Sequence, residues 1–571
     1  MSAIDYIVLF GTMIGIAAIG LWQTRGRKNL DAYLKSGHNL GWGTIGLSVM
    51  ATQASAITFL STPGQAYESG IAFVQNYFGL PIALIIVAAV FLPIYRKLNV
   101  YTAYEYLGTR FGPRTRMLGA ALFLLQRGLA SGITIYAPAI ILSTVLGWRL
   151  DATIVCTGVF VVFYTVIGGN EAVSVTQKWQ MAVIIVGLCI AFGVLLARLP
   201  TGLGLDGALT IAGSFGKLEA VDFSLDFDKR YTIWSGMLGG LFLSLSYFGT
   251  DQSQVQRYLS GGSLRASRLG LMFNAVLKIP MQFFILLLGA LVFVFFQFNT
   301  PPVFFNQAAW AANVARADAA PLLALEADYA AAQSRKQAHL AHWLDARQRG
   351  DLDTATNEKS AMLVAHRQGE ETRTEVKKTL TAIDPRAKTN DADYVFITFV
   401  MQHMPHGIIG LLVALIFAAA VSSLSSELVA LGSTTAVDFY RHVWRIGATD
   451  AHYVKASKWL TMLWGCIAIG FALFANLAEN LIQAINILGS IFYGVVLGIF
   501  LAAFFIKRIG GTAIFWGALA AQTLVFVLYG TLTISYLWYN VIGCASCLLF
   551  ATTIQTFLPR NRPMNTDVQV S

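Results

Sequence analysis

The chain has 571 residues, of which 56% are hydrophobic and only 12% charged, and its mean hydropathy is +0.61. That is far too apolar for a soluble protein of this length, so it is an integral membrane protein. The net charge of +10 does not point to nucleic acid, because the basic residues fall in short loops between apolar segments, where they act as topology signals.

At about 20 apolar residues per crossing, spans are expected near 4–23, 44–69, 76–95, 116–147, 152–168, 178–197, 232–258, 270–297, 396–437, 456–476, 481–506, 511–530 and 534–557. The first ten residues carry an acid and no basic region, and read as an uncleaved first span rather than a signal peptide. Arg25, Arg27, Lys28 and Lys35 follow the first span; Arg96, Lys97, Arg110, Arg114 and Arg116 the third; Arg257, Arg265 and Arg268 the seventh. Arg441, Arg445, Lys455 and Lys458 follow the ninth, and Lys507 and Arg508 the eleventh. These loops share one side, so the N-terminus is expected outside and the C-terminus, with Arg560 and Arg562, inside. Cys156, Cys189, Cys466, Cys544 and Cys547 all lie in apolar segments, which favours plain core thiols over disulfides or a metal cluster.

Ser48 to Gly64 reads SVMATQASAITFLSTPG. It lies in a span, yet is crowded with Ser, Thr, Gln and Ala and closed by Pro63-Gly64, so a helix broken in mid-membrane is expected. Such a break survives only where it is buried in protein or lines a cavity, because its freed carbonyls need partners; in secondary transporters those carbonyls coordinate the driving ion. A small-residue packing face accounts for Ala51, Ala54 and Ser55 equally well.

Between residues 300 and 392 the composition becomes Ala-rich and charged with little Gly or Pro, which predicts a helical hairpin outside the membrane, turning near Arg349-Gly350-Asp351. A passive insertion is the plainer reading; a lid or docking element is the alternative.

In FAAAVSSLSS, Ala419, Ser422 and Ser423 fall at i, i+3 and i+4, so a carbonyl and two hydroxyls share one helical face. Sodium is a hard cation that takes about five or six oxygens, and two opened carbonyls plus this face would supply them. Bonding of each serine back to its own helix is the competing explanation.

Together, SAITFLSTPGQAY, LPIY followed by VYTAYEYLGTRFG, ITIYAPAIIL, YFGTDQSQVQRYLS and AAAVSSLSS resemble the solute:sodium symporters, whose fold is that of the bacterial leucine transporter. The first four look nearest to the monocarboxylate, multivitamin and iodide branch. The resemblance implies an all-α polytopic membrane protein with about thirteen spans and an inverted 5+5 repeat. It divides the chain at 1–43 (first helix and loop), 44–197 (first repeat), 198–299 and 393–506 (second repeat), 300–392 (insertion) and 507–571 (last helices and tail).

Carried over residue by residue, the resemblance implies a sodium site from Ala51, Ala54, Ala419, Ser422 and Ser423. A second sodium in some members uses the next serine pair, here Ser425 and Ser426, and an Asp where this chain has Gln177, so one sodium is expected. One ion suffices: a tenfold gradient adds about 1.4 kcal/mol and 100 mV about 2.3 kcal/mol. Substrate positions implied by the family are Ser55, Thr58, Tyr77, Ser244, Tyr247, Lys278 and Asn486. Thr58 and Tyr77 depart from the sugar pattern, whereas Lys278 matches it.

Arg127, near mid-membrane, must face a cavity or a partner, and its fork suits a carboxylate; the sialate branch also places an Arg on this helix. A structural ion pair, or capping of opened carbonyls, is the alternative, and Asp251 and Arg257 read as a structural network. The resulting expectation is a multi-pass inner-membrane symporter whose partners are sodium, a small organic anion and lipid, with neither nucleic acid nor an obligatory protein partner. A neutral-sugar symporter is the runner-up, then a sensor or channel. No H-E-x-x-H, G-x-S-x-G or paired aspartates occur in the spans, so an enzyme is not indicated.

Overall fold

The computed structural model describes residues 1–23, 41–98, 100–316, 319–384, 389–474 and 480–559. The topology signals Arg25, Arg27, Lys28, Lys35, Arg560 and Arg562 lie outside the described residues. The protein is all-helical. In chain order the helices are α1 (Ala3–Gln23), α2 (Trp42–Gln53), α3 (Ala56–Ser69), α4 (Leu80–Ile86), α5 (Leu92–Leu98), α6 (Ala103–Phe111), α7 (Pro113–Leu146) and α8 (Leu150–Ala197). Then come α9 (Gly204–Ser214), α10 (Gly240–Gly249), α11 (Gln252–Leu259), α12 (Leu264–Phe298), α13 (Gln307–Val314), α14 (Ala320–Arg349) and α15 (Leu352–Ile383). The chain closes with α16 (Ala392–His403), α17 (Ile408–Thr434), α18 (Asp450–Phe474), α19 (Leu481–Phe505), α20 (Gly511–Thr531) and α21 (Leu537–Phe557).

Among the described residues, 10 helical stretches are long and apolar enough to cross a membrane, three fewer than the sequence count. The apolar run of α1, Ala3–Gly15, is short by that measure, and 44–69 and 76–95 join through the 3₁₀ stretch Gly70–Tyr77. Segment 232–258 breaks between α10 and α11, where Asp251 caps the second half by accepting from Ser253 N. The expected span 396–437 is corrected in another way: α16 ends at His403, and α17 starts after Pro405 and Gly407. Pro405 removes a donor, and Gly407 sits at φ 87°, a left-handed conformation that other residues adopt at a cost.

The first broken helix opens at Ala54-Ser55, not at Pro63-Gly64, which lies inside α3. Those two residues serve close packing instead. A Cβ on Gly64 would come 1.9 Å from the Ala392 carbonyl oxygen, and one on Gly289 of α12 would come 2.2 Å from that of Pro63.

The hairpin turns at Gly350, with φ 74°, and Asp351 caps α15 by accepting from Thr354 N at 3.1 Å. It is bolted to the bundle. Arg373 donates to the buried Asp391 at 2.9 Å, Lys377 reaches the same carboxylate at 2.8 Å and lies 3.8 Å from Glu68 at the end of α3. The His366 ring packs edge-on to Phe215 and to Phe293 of α12, at 4.9 and 5.7 Å. A second latch lies near the start of α17: buried Asp5 of α1 accepts from Gly407 N at 2.5 Å and Gly410 N at 3.2 Å, beside His406 Nδ1 at 3.0 Å.

Candidate functional site

Two residues separate α2 from α3. Ala54 has φ −84° and ψ 69°, and Ser55 is extended at φ −72° and ψ 173°. Ala54 N still donates to the Met50 carbonyl at 2.7 Å, but the carbonyls that follow, including Ala51, have no intrahelical donor. Both half-helices pack against α17, which carries Ala419, Ser422 and Ser423 in a fully buried run.

The hydroxyls on this face differ in what they already do. Ser423 Oγ donates to the Ala419 oxygen at 3.0 Å and lies 3.2 Å from that of Ala420. That bond uses its proton and leaves oxygen lone pairs for a cation, so back-bonding and ligation are compatible. Ser422 Oγ is buried and has no hydrogen-bond partner among the described residues. A buried hydroxyl left unmatched costs free energy, which a bound cation would recover.

Gln177 of α8 occupies the gap one turn further along. It accepts from Ser48 at 2.5 Å, and its amide donates to Thr52 at 3.1 Å, Ser426 at 3.0 Å and the Ser422 carbonyl at 3.4 Å. Ser425 in turn accepts from Thr165 at 2.8 Å. The serine pair of the doubtful second ion site is thus held by neutral donors.

Beside the helix break lies an open cleft, lined by Ser55, Thr58, Tyr77, Arg127, Ser244, Tyr247 and Asn486 among others. Seven of the eight residues expected at the solute site therefore share one wall. Lys278 does not: it is fully buried behind that wall, its Nζ 5.4 Å from the centre of the Tyr77 ring and without a hydrogen-bond partner among the described residues.

Arg127 of α7 reaches the cleft but is already engaged. Its Nε donates to Asp251 at 3.1 Å and its Nη2 to the same carboxylate, while Nη1 lies 3.2 Å from Glu427 Oε1 and Nη2 2.5 Å from the Tyr493 hydroxyl. Tyr493 also donates to Asp251 at 2.8 Å. The structural ion pair weighed for Arg127 is present, and Arg127 remains at the cleft wall within it. Glu427, four residues after Ser423 on α17, went unnoticed in the sequence; an acid inside an otherwise uncharged span was the available signal. Asn76, Gln126 and Tyr493 also line the cleft and were missed, since nothing local marks them.

The sodium:solute symporter family profile matches residues 33–327 and 378–521, and the gap between the two segments covers the turn of the hairpin. The human sodium/iodide cotransporter is 34% identical over 282 residues, which is 48% of this chain and 43% of that protein. Human sodium-coupled monocarboxylate transporter 1 is 35% identical over 275 residues, 48% of this chain and 45% of that one. The chain thus spans less than half the length of these curated relatives. A solved Na+-coupled sialic acid symporter, in a substrate-bound outward-open state, superposes with a TM-score of 0.75 at 22% identity, over 99% of this chain and 100% of that one, and so shares its fold. The helix break, its partner α17 and the flanking cleft thus sit within a multi-pass protein of transporter type, not an enzyme, and the chain belongs to the sodium:solute symporter family.

Proposed function

We propose that the chain is a sodium-coupled symporter that carries a small organic solute across the cytoplasmic membrane by alternating access. The observation that carries this reading is the buried, unmatched Ser422 hydroxyl on α17, packed against a helix opened at Ala54-Ser55 beside a polar cleft. Sodium bound by Ala51, Ala54, Ala419, Ser422 and Ser423 ties the two halves of the broken helix to α17 and fixes the cleft wall that begins at Thr52, Gln53 and Ser55. Solute then closes the cleft, and the two inverted repeats, 44–197 and 198–506 without the insertion, rock around it.

One sodium per solute is favoured because Gln177 brings no charge to the second serine pair and is already bonded to Ser426. The N-terminus lies outside and the C-terminus inside. A carboxylate-bearing solute is favoured over a neutral sugar, because Arg127 lines the cleft whereas the sugar-type Lys278 lies behind Tyr77. The test is uptake into proteoliposomes driven by an inward sodium gradient, with potassium as control, together with sodium-dependent melting of the purified protein. Equal behaviour in the two salts would refute the reading.

A further inference from the structure

Residues 219–226, between α9 and the span that leads into α10, form no helix, and their polarity is inverted. Val221, Phe223 and Leu225 are exposed, Phe223 by 71% and Leu225 by 72%, while Asp222 and Ser224 between them are partly buried. Phe227 is exposed as well and prolongs the row. Alternate side chains of an extended strap point to opposite sides, and a strap bathed in water would turn its apolar side inward. Here that side faces out, a large apolar surface of the kind that marks a contact.

Bonds on the inner side fix this orientation. Gln75 brackets the strap, accepting from Asp222 N and donating to the Tyr231 carbonyl, each at 3.1 Å. Ile233 N donates to the Asp222 carbonyl at 2.8 Å, the Trp234 indole to that of Phe223 at 3.2 Å, and Ser535 N to that of Phe227 at 2.8 Å. The strap is thus tied to the 3₁₀ stretch Gly70–Tyr77, to the first turn of the next span and to the turn between α20 and α21. Turning the row inward would break these ties.

What covers the row follows from the surface it continues. Trp234, Met237 and Leu238 at the start of the same span are exposed, as are Phe526, Val527 and Tyr529 near the end of α20, and the Phe227 ring lies 5.2 Å from that of Trp538. In a protein with 10 candidate spans, exposed apolar faces of spanning helices meet lipid, and Trp and Tyr at the helix ends mark the level of the membrane–water boundary. The row extends that surface at the same level. Charge does not supply the contact, because Lys229 is paired with Asp222 while Asp226 and Asp228 stand exposed.

We propose that residues 221–227 are an interfacial anchor, which inserts Val221, Phe223, Leu225 and Phe227 among the acyl chains just beneath the headgroups. The leaflet concerned is the one at the hairpin end, since Lys217, ahead of the strap, donates to the Glu68 carbonyl at 2.5 Å. The anchor is independent of the transport reading. The test places the photoreactive p-benzoylphenylalanine at Phe223, at Leu225 or, as a control, at Thr372 on the exposed side of α15, in the full chain reconstituted into phosphatidylethanolamine and phosphatidylglycerol vesicles. After illumination the chain should gain the mass of a phospholipid at 223 and 225, well above the control. Cross-linking to a second copy in place of lipid overturns the proposal and makes the row a subunit contact; lipid labelling no greater than at 372 overturns it too. Should the bulky residue not be tolerated, Leu225→Trp reads the same contact. Its added fluorescence should be quenched by lipids brominated on the acyl chains and shielded from aqueous acrylamide, and the reverse order overturns the proposal.

Discussion

Removing one hydroxyl from the α17 face tests the ion site most directly. Ser422 and Ser423 are both buried, but they enter the reaction differently. Ser422 Oγ has no hydrogen-bond partner to lose among the described residues, so Ser422→Ala removes a ligand from the bound state and relieves an unmatched oxygen in the empty one. Both effects weaken sodium binding. Ser423→Ala also removes a ligand, and with it the 3.0 Å bond to the Ala419 carbonyl, which is present with or without the ion. A hydrogen-bond-type contact to a charge contributes about 1.5–3 kcal/mol, so Ser423→Ala should raise the sodium concentration for half-maximal stabilisation by about 10- to 150-fold. Ser422→Ala should raise it at least as much, because the relief of the empty state adds about 1 kcal/mol. Melting temperature against sodium concentration, at constant ionic strength, reads both. Unchanged sodium dependence in both variants would refute the site, and a large effect of Ser423→Ala with none for Ser422→Ala would refute the role given to the unmatched hydroxyl.

Gln177→Asp should disturb the neutral bridge, since the acid cannot donate to Thr52 or Ser426 as the amide does; uptake should either acquire a steeper sodium dependence or fall sharply, and unaltered kinetics would remove Gln177 from the site. Asp5→Ala should destabilise the protein by about 1–2 kcal/mol by uncapping α17, since Gly407 N and Gly410 N lose their acceptor; an unchanged melting temperature would contradict this. The hairpin should loosen in acid. Burial pushes the His366 imidazole down to about 4, with Lys336 adding to it, and burial pushes Lys336 down to about 7. For His366 the unfolded chain binds the extra proton between about pH 4 and 6.5, so its contribution is present above that window and lost as pH falls through it. For Lys336 the same sign makes docking strengthen as pH rises from about 7 towards 10.4. Amide protection factors within 320–383, corrected for the intrinsic exchange rate at each pH, should therefore fall at about pH 5 relative to pH 7.5, and pH-independent protection would contradict the buried seat of His366. Excising the hairpin alone should destabilise the bundle, because it strips Arg373 and Lys377 from buried Asp391; adding Asp391→Asn should restore part of the loss, and equal melting of the two deletions would refute the pairing.

What could be read in advance followed from locality. The hairpin was legible because helix-favouring composition and a glycine turn act within a few residues, and its turn does fall at Gly350. That the second span breaks was legible too, but where it breaks came only from the resemblance, which placed the opened carbonyls at Ala51 and Ala54. Pro63-Gly64 offered the stronger local signal, yet α3 runs through it, with Gly64 packed against the Ala392 backbone and Pro63 against Gly289. The break falls at Ala54-Ser55 against the helix preference of alanine, where both half-helices pack against α17. Arg127 shows the same limit at longer range. The sequence demanded a partner or a cavity for a buried guanidinium; the structure supplies both, and the acids it meets lie 124 and 300 positions away. A single intramembrane charge is readable as a problem, but its solution depends on which other helix brings the opposite charge. Here two acids meet one base, a pairing that emerges only once α7, the cap of α11 and α17 are packed together.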